Sequence, residues 1–234
     1  THGQNDQAAE ELEHAKLGGF STPALEFNLG YLQAERDELA ALQALNAAVR
    51  TPEYALAGYL VMARVHHHLQ AYNQAAVACL QALRLADAAT VTENKRADLR
   101  QLYDPIIEAQ SRATDAAALQ TLCDTVFSYL LQPEWLDVMQ KARQQLPEGD
   151  PQDPPHPLAE MLLEIRSVNV IDALAYIRTL SGQGKLRTAH EEAFRAIGKA
   201  PTYLPLHIQI GDLLLQDGQQ AEALKKYLLV ARLY

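Results

Sequence analysis

The chain has 234 residues, 48% of them apolar and only 6% aromatic, with a formal net charge of -9. That length holds one or two ordinary domains or one extended repeat array. The acidic balance argues against nucleic acid as a partner, and no apolar stretch approaches the ~20 residues that cross a bilayer, so neither is expected.

Ala and Leu carry most of the apolar share, and both favour helix. Val, Ile and Thr never alternate over a run, so no strand is predicted and the fold class is all-α. The first predicted helix holds Ala8, Leu12 and Ala15, with Glu10, Glu11 and Glu13 as a solvated face. It reads as the second helix of a pair, and the chain opens at Thr1-His2 without a start Met, so an excised fragment of a longer protein is expected. Next come two helices over 22–53, with Asn28, Leu29, Leu32, Ala41, Leu45 and Ala48 at recurring places. Two more over 56–87 repeat the pattern with Met62, Ala63, His66, Ala75, Cys79 and Ala82.

His66, His67 and His68 are consecutive, and helical neighbours point ~100° apart, so they cannot converge on one metal. One packed and two partly exposed imidazoles are expected. Cys79 and Cys123 both sit in apolar helical surroundings and read as buried free thiols in a reducing, cytoplasmic compartment. Two cysteines cannot by themselves build a structural zinc site.

Residues 91–169 lose the period and are read as an irregular helical section between N-terminal repeats (1–90) and C-terminal repeats (170–234). Helices are predicted over 92–112, 115–131, 133–145 and 157–166, with Pro105 kinking or dividing the first and Asp104 as an N-cap there. Lys95, Arg96 and Arg100 lie among Glu93, Asp98 and Asp104, a solvated mixed-charge surface. Trp135, Val138, Met139 and Ala142 form one apolar stripe, and Leu158, Met161, Leu162 and Ile165 another expected to pack on it. Between them, residues 147–157 hold five of the 11 prolines and are predicted to be a surface loop.

The last two helix pairs cover 170–201 and 204–234 and superimpose in character at a spacing of 34, as from Ala189 to Ala223 and from Gly184 to Gly218. Glycine-containing turns join each pair, and Pro201 ends the earlier one. A small residue recurs near the start of each second helix: Ala8, Ala41, Ala75, Ala189 and Ala223. Ala15, Ala48, Ala82 and Ala196 recur one heptad later. Helix axes ~8–10 Å apart leave no room for a large side chain at the crossing. Leu45, Tyr227, Leu180 and Leu214 are expected to fill the space toward the next pair.

The 34-residue period, small residues at the crossings and closing Pro201 resemble the tetratricopeptide repeat. The match covers a little over half the chain. The large aromatic expected early in each first helix appears as Tyr59, with Ala173 and His207 at the equivalent places. The resemblance implies an α-solenoid of antiparallel helix pairs whose first helices line a concave groove for a peptide or helix of a partner. Facing it would be Leu60, Arg64, His67, His68, Ile171, Leu174, Arg178, Ser181, Ile208, Asp212 and Leu215, with Glu26 and Gln33 from the earliest pair. Arg64 and Arg178 suit carboxylates.

Catalytic patterns are incomplete. Ser181-Gly-Gln-Gly-Lys185 lacks the earlier glycine and the following hydroxyl of a phosphate loop, and His190-Glu191-Glu192 has Phe194 where a second metal-binding His would stand. The expectation is a non-catalytic interaction scaffold without metal or cofactor. The alternative is a peptide- or effector-sensing regulatory module, with a helical enzyme third. The apolar ending Leu228-Leu229-Val230-Ala231 lacks a polar cap, so further repeats beyond Tyr234 and self-association through this helix are expected.

Overall fold

The computed structural model describes residues 2–146, 155–163, 170–201 and 203–233. Among them the chain forms thirteen α-helices and no strand. Contacts divide it into two compact units: Thr1–Thr90 with Ile107–Lys141, and Val91–Ile106 with Ala142–Tyr234.

The first unit begins with α1 (His2–Leu17), α2 (Pro23–Gln33), α3 (Glu38–Ala48), α4 (Pro52–His68) and α5 (Tyr72–Ala88). Local chemistry sets their starts. Thr22 Oγ1 accepts a hydrogen bond from Leu25 N at 3.2 Å, and Asp37 Oδ1 from Ala40 N at 3.0 Å. Pro23 and Pro52 occupy first helical turns, where no N–H is missed. α2 pairs with α3 and α4 with α5; α1 packs on α2, α3 on α4, and α2 lies beside α4.

Small residues close these pairs. Ala41, Ala48, Ala75 and Ala82 have no exposed surface. A Cβ on Gly30 of α2 would stand 2.6 Å from Leu45 Cγ and 3.0 Å from Ala41 O on α3. Leu45 thus fills the crevice above Gly30 in its own pair. Tyr227 does the same in the second unit, lying 2.7 Å from where a Gly211 Cβ would be. The recurrence fails at the first helix by one residue. Ala8 is exposed and Ala9 only 2% exposed, because α1 lays Leu12 and Ala15 against Leu25 and Leu29 of α2.

α6 (Glu93–Ser111) is a single helix with Pro105 inside it. Asp104 is therefore not an N-cap. Leu99, Leu102, Tyr103 and Ile106 are buried along one face, and their packing outweighs the hydrogen bond that Pro105 removes. The division between the two units falls within α6, between Ile106 and Ile107. In the first unit α5's Asn73 closes the C-terminal end of α6. Its Nδ2 donates to Gln110 O at 3.3 Å and also to Ala113 O.

α7 (Ala116–Leu130), capped by Asp115 Oδ1 from Ala117 N and Ala118 N at 3.1 Å, packs along α5. α8 (Trp135–Arg143) and α9 (Leu158–Leu162) are shorter than predicted. Met139 and Leu158 are fully buried; Ile165, Arg166 and most of the proline window lie outside the described residues.

The second unit holds α10 (Val170–Gly182), α11 (Leu186–Lys199), α12 (Leu204–Gln216) and α13 (Gln220–Leu233), paired in order, with α11 on α12 and α10 beside α12. Leu174, Ile177, Ala189, Ala193, Leu206, Ile210 and Leu213 form its core, joined by Leu102 of α6. Gln101 Oε1 accepts from Leu204 N at 3.1 Å, satisfying an orphan N–H at the start of α12. Each buried Leu or Ile contributes about 1.5–3 kcal/mol.

The turns inside three pairs share one bonding pattern. Gln70 N, Gly184 N and Gly218 N donate three residues back, to His67 O, Ser181 O and Leu215 O. Ala71 N, Lys185 N and Gln219 N donate five residues back, to His66 O, Leu180 O and Leu214 O. All three turn residues have positive φ: 58°, 73° and 76°.

Candidate functional site

A cleft of ≈ 620 Å³ opens in the first unit between the first helices of successive pairs, α2 and α4, with the start of α1 along one side. Residues 61, 64, 65 and 68 recur on α4 at spacings of three and four, so they share a face. Val61 and Val65 are buried there and, with half-buried Leu32 of α2, make an apolar floor. Tyr31, 56% exposed, and Arg64, also exposed, stand at the rim.

Charges around the cleft are mostly spoken for. Arg36 pairs with Asp6 at 3.1 Å, which ties the α2–α3 turn to α1. His68 Nδ1 lies 3.3 Å from Glu38 Oε1. Among the described residues no carboxylate pairs with Arg64. Its guanidinium presents a fork of donors over an apolar floor, which suits a carboxylate or backbone carbonyls of an incoming chain. The lining holds no Ser, Thr or Cys nucleophile, and no group of three or more metal-ligating side chains occurs among the described residues.

His67 turns away from this opening and meets the Tyr72 ring edge-on at 5.6 Å. Leu60, 6% exposed, is a core residue of α4. Glu26 and Gln33 face α1 and not an open groove. Glu26 accepts from Lys16 Nζ at 2.7 Å, and Gln33 Nε2 donates to Glu13 Oε1 at 2.6 Å. Burying them requires these partners, since an unmet polar group in the interior is costly.

On the other side of α4, His66 and Met62 with Gln74, Val77 and Gln81 of α5 line a shallower hollow of ≈ 400 Å³. Burial holds the His66 imidazole below its usual pKa, favouring the neutral ring.

In the second unit α10 and α12 lie side by side in the same relation as α2 and α4. Arg178 Nε donates to Gln209 Oε1 at 3.3 Å, and Ser181 Oγ to Gln216 Oε1 at 2.6 Å. Ile208 and Leu215 are 36% and 51% exposed on α12. Asp212 is engaged: Tyr227 OH donates to its Oδ1 at 2.7 Å, and that bond pushes the phenol up to about 12. Leu174 has no exposed surface and belongs to the core. Ile171 lies on α10, and its side chain is outside the described residues.

Of the residues expected to face a groove, the structure thus brings Arg64 and His68 together in an open cleft. Tyr31, Asp6 and Arg36 were not anticipated. Their signal is tertiary: Gly30 lets α2 sink onto α3, which turns Tyr31 outward, and the Asp6–Arg36 pair follows from the path of α1. Among the described residues no helix is long and apolar enough to cross a membrane. No protein-family profile, curated protein or solved structure matches the chain.

Proposed function

We propose that the chain is a non-catalytic interaction module that holds an extended peptide or a helix of a partner protein in the α2–α4 cleft. Its helix pairs are read as tetratricopeptide-like, stacked so that first helices line the binding face. The carrying observation is the cleft itself: an apolar floor of Val61, Val65 and Leu32 beneath Arg64, which pairs with no carboxylate among the described residues. Such a site gains affinity from apolar side chains on the floor and direction from the guanidinium. The side-by-side placement of α10 and α12 supports the same reading. The two free thiols support a reducing, cytoplasmic setting.

Selection of a displayed peptide library on the intact chain tests it. Peptides enriched on the wild type should be lost from Arg64→Glu, which reverses the charge at the rim without touching the buried floor. A loss of about tenfold or more in affinity is expected, the ~1.5–3 kcal/mol of a hydrogen bond to a charged group. If nothing is enriched, or both proteins retain the same peptides equally, the cleft is not the binding face.

A further inference from the structure

The hollow of ≈ 400 Å³ on the other side of α4 lies within the first unit and differs in kind from the cleft. Asp6, Glu35, Arg36 and Arg64 line the cleft; no Asp, Glu, Lys or Arg lines the hollow. Three helices border it. Tyr59, Met62 and His66 follow each other on α4 at spacings of three and four, so they share one face. Val77 and Gln81 come from α5, and Ser111 from the end of α6. Asn73 of α5 fixes that end in place, since its Nδ2 donates to Gln110 O and Ala113 O. Arg112, the cation next to Ser111, is engaged by Glu108 at 2.7 Å and does not line the hollow.

We propose that this hollow is a second binding site, which takes a small uncharged aromatic molecule bearing a hydroxyl group. Its volume falls in the range of small-molecule pockets, about 300–1,000 Å³. A charged ligand would give up water there without meeting an opposite charge, which is costly. His66 does not supply one, because burial favours its neutral ring. The aromatic preference comes from Met62 and Tyr59. A thioether adapts to irregular shapes and contacts ring edges favourably. The half-buried Tyr59 ring meets no other aromatic ring among the described residues, so it is free to stack on a ligand. The hydroxyl preference comes from Gln81, whose Oε1 is buried without a hydrogen-bond partner. Turning that amide toward a ligand hydroxyl breaks no existing bond to the oxygen and satisfies a costly unmet acceptor. None of this depends on a peptide occupying the cleft.

The test uses the intact chain labelled with ¹³C at its methionine methyls. The sequence has three methionines, and of these only Met62 lines the hollow. Its signal is assigned by its loss in Met62→Leu. At neutral pH the chain is titrated with 2-naphthol, 2-naphthoate and 2-naphthylmethylammonium, which share a ring system and differ in charge. 2-Naphthol should move the Met62 methyl saturably and leave Met139 and Met161 in place. The anion and the cation should each need at least about tenfold more ligand for the same shift, because each must bury an unpaired charge. Gln74→Trp adds bulk at an exposed lining position and should abolish the response. The charge series on the wild type decides the matter if that variant misfolds. A Met62 methyl that 2-naphthol does not move saturably would overturn the proposal. So would equal affinity for the charged analogues, or a parallel shift of all three methyls. A Met62 shift that follows protein concentration alone would assign the hollow to a second copy of the chain and overturn it as well.

Discussion

Gln70 stands where the other two matching turns have glycine. Its φ of 58° lies in the left-handed region, as do those of Gly184 and Gly218, and its backbone makes the same two hydrogen bonds. For a residue with a Cβ this conformation costs about 1–2 kcal/mol, while glycine gives back about half of that in unfolded-chain entropy. The Gln70 side chain is exposed and loses no packing on removal. Gln70→Gly should therefore raise the stability of the first unit by up to about 1 kcal/mol, read as a higher urea midpoint at unchanged slope. The reciprocal Gly218→Gln should lower the stability of the second unit by about 1 kcal/mol. A lower midpoint for Gln70→Gly would show that the turn is not strained. The same residue-scale logic separates Gly30 and Gly211 from the turn glycines: their φ is ordinary, and space alone demands them, since a Cβ would meet Leu45 or Tyr227 at under 3 Å.

At the scale of elements, α13 differs from the other helices in what it leaves uncovered. Ala223 and Val230 face the core, but Leu224 is 56% exposed, Leu228 49% and Leu233 63%. Ala221, Leu224, Leu228 and Ala231 follow each other at spacings of three, four and three, the seam on which helices pack. Lys225, which pairs with Glu222 at 2.6 Å, and Arg232 border that seam. Self-association through it would rest on apolar burial and should persist at high salt, which screens the bordering charges and not that contact. Sedimentation velocity should show a concentration-dependent dimer that Leu224→Glu with Leu228→Glu abolishes. A wild-type monomer at high concentration and high salt would rule this contact out. The α13 pattern is legible from the sequence because exposure there follows helical periodicity alone. So are the alanine crossings of α3, α5, α11 and α13, whose cause is local crowding. The division at Pro105 and the cap at Asp104 do not occur because the apolar face of α6 is held from outside the helix. The cleft was legible only at Arg64 and His68; Tyr31, Asp6 and Arg36 depend on how α1 crosses α2, which no repeat spacing encodes.

At the scale of the whole molecule, contacts among the described residues divide the chain into two compact units, each with its own buried apolar residues. Leu174, Ile177, Ile210 and Leu213 belong to the second unit, whereas the alanine-rich faces of α3 and α5 with Leu45, Leu80 and Leu83 belong to the first. The cleft proposed to hold a partner lies wholly in the first unit. Damage to the second core should then separate stability from binding. Leu174→Ala removes a fully buried side chain and should cost the second unit about 2–4 kcal/mol. Hydrogen exchange should accelerate across α10 to α13 while protection in α2 to α5 stays at the wild-type level. Peptides selected on the wild type should still bind, with affinity within about twofold, since ~0.5 kcal/mol is the usual scatter for independent sites. Uniform loss of protection across both units, or loss of peptide binding with an intact Arg64, would mean that the chain unfolds as one cooperative body and that the cleft draws its shape from both cores.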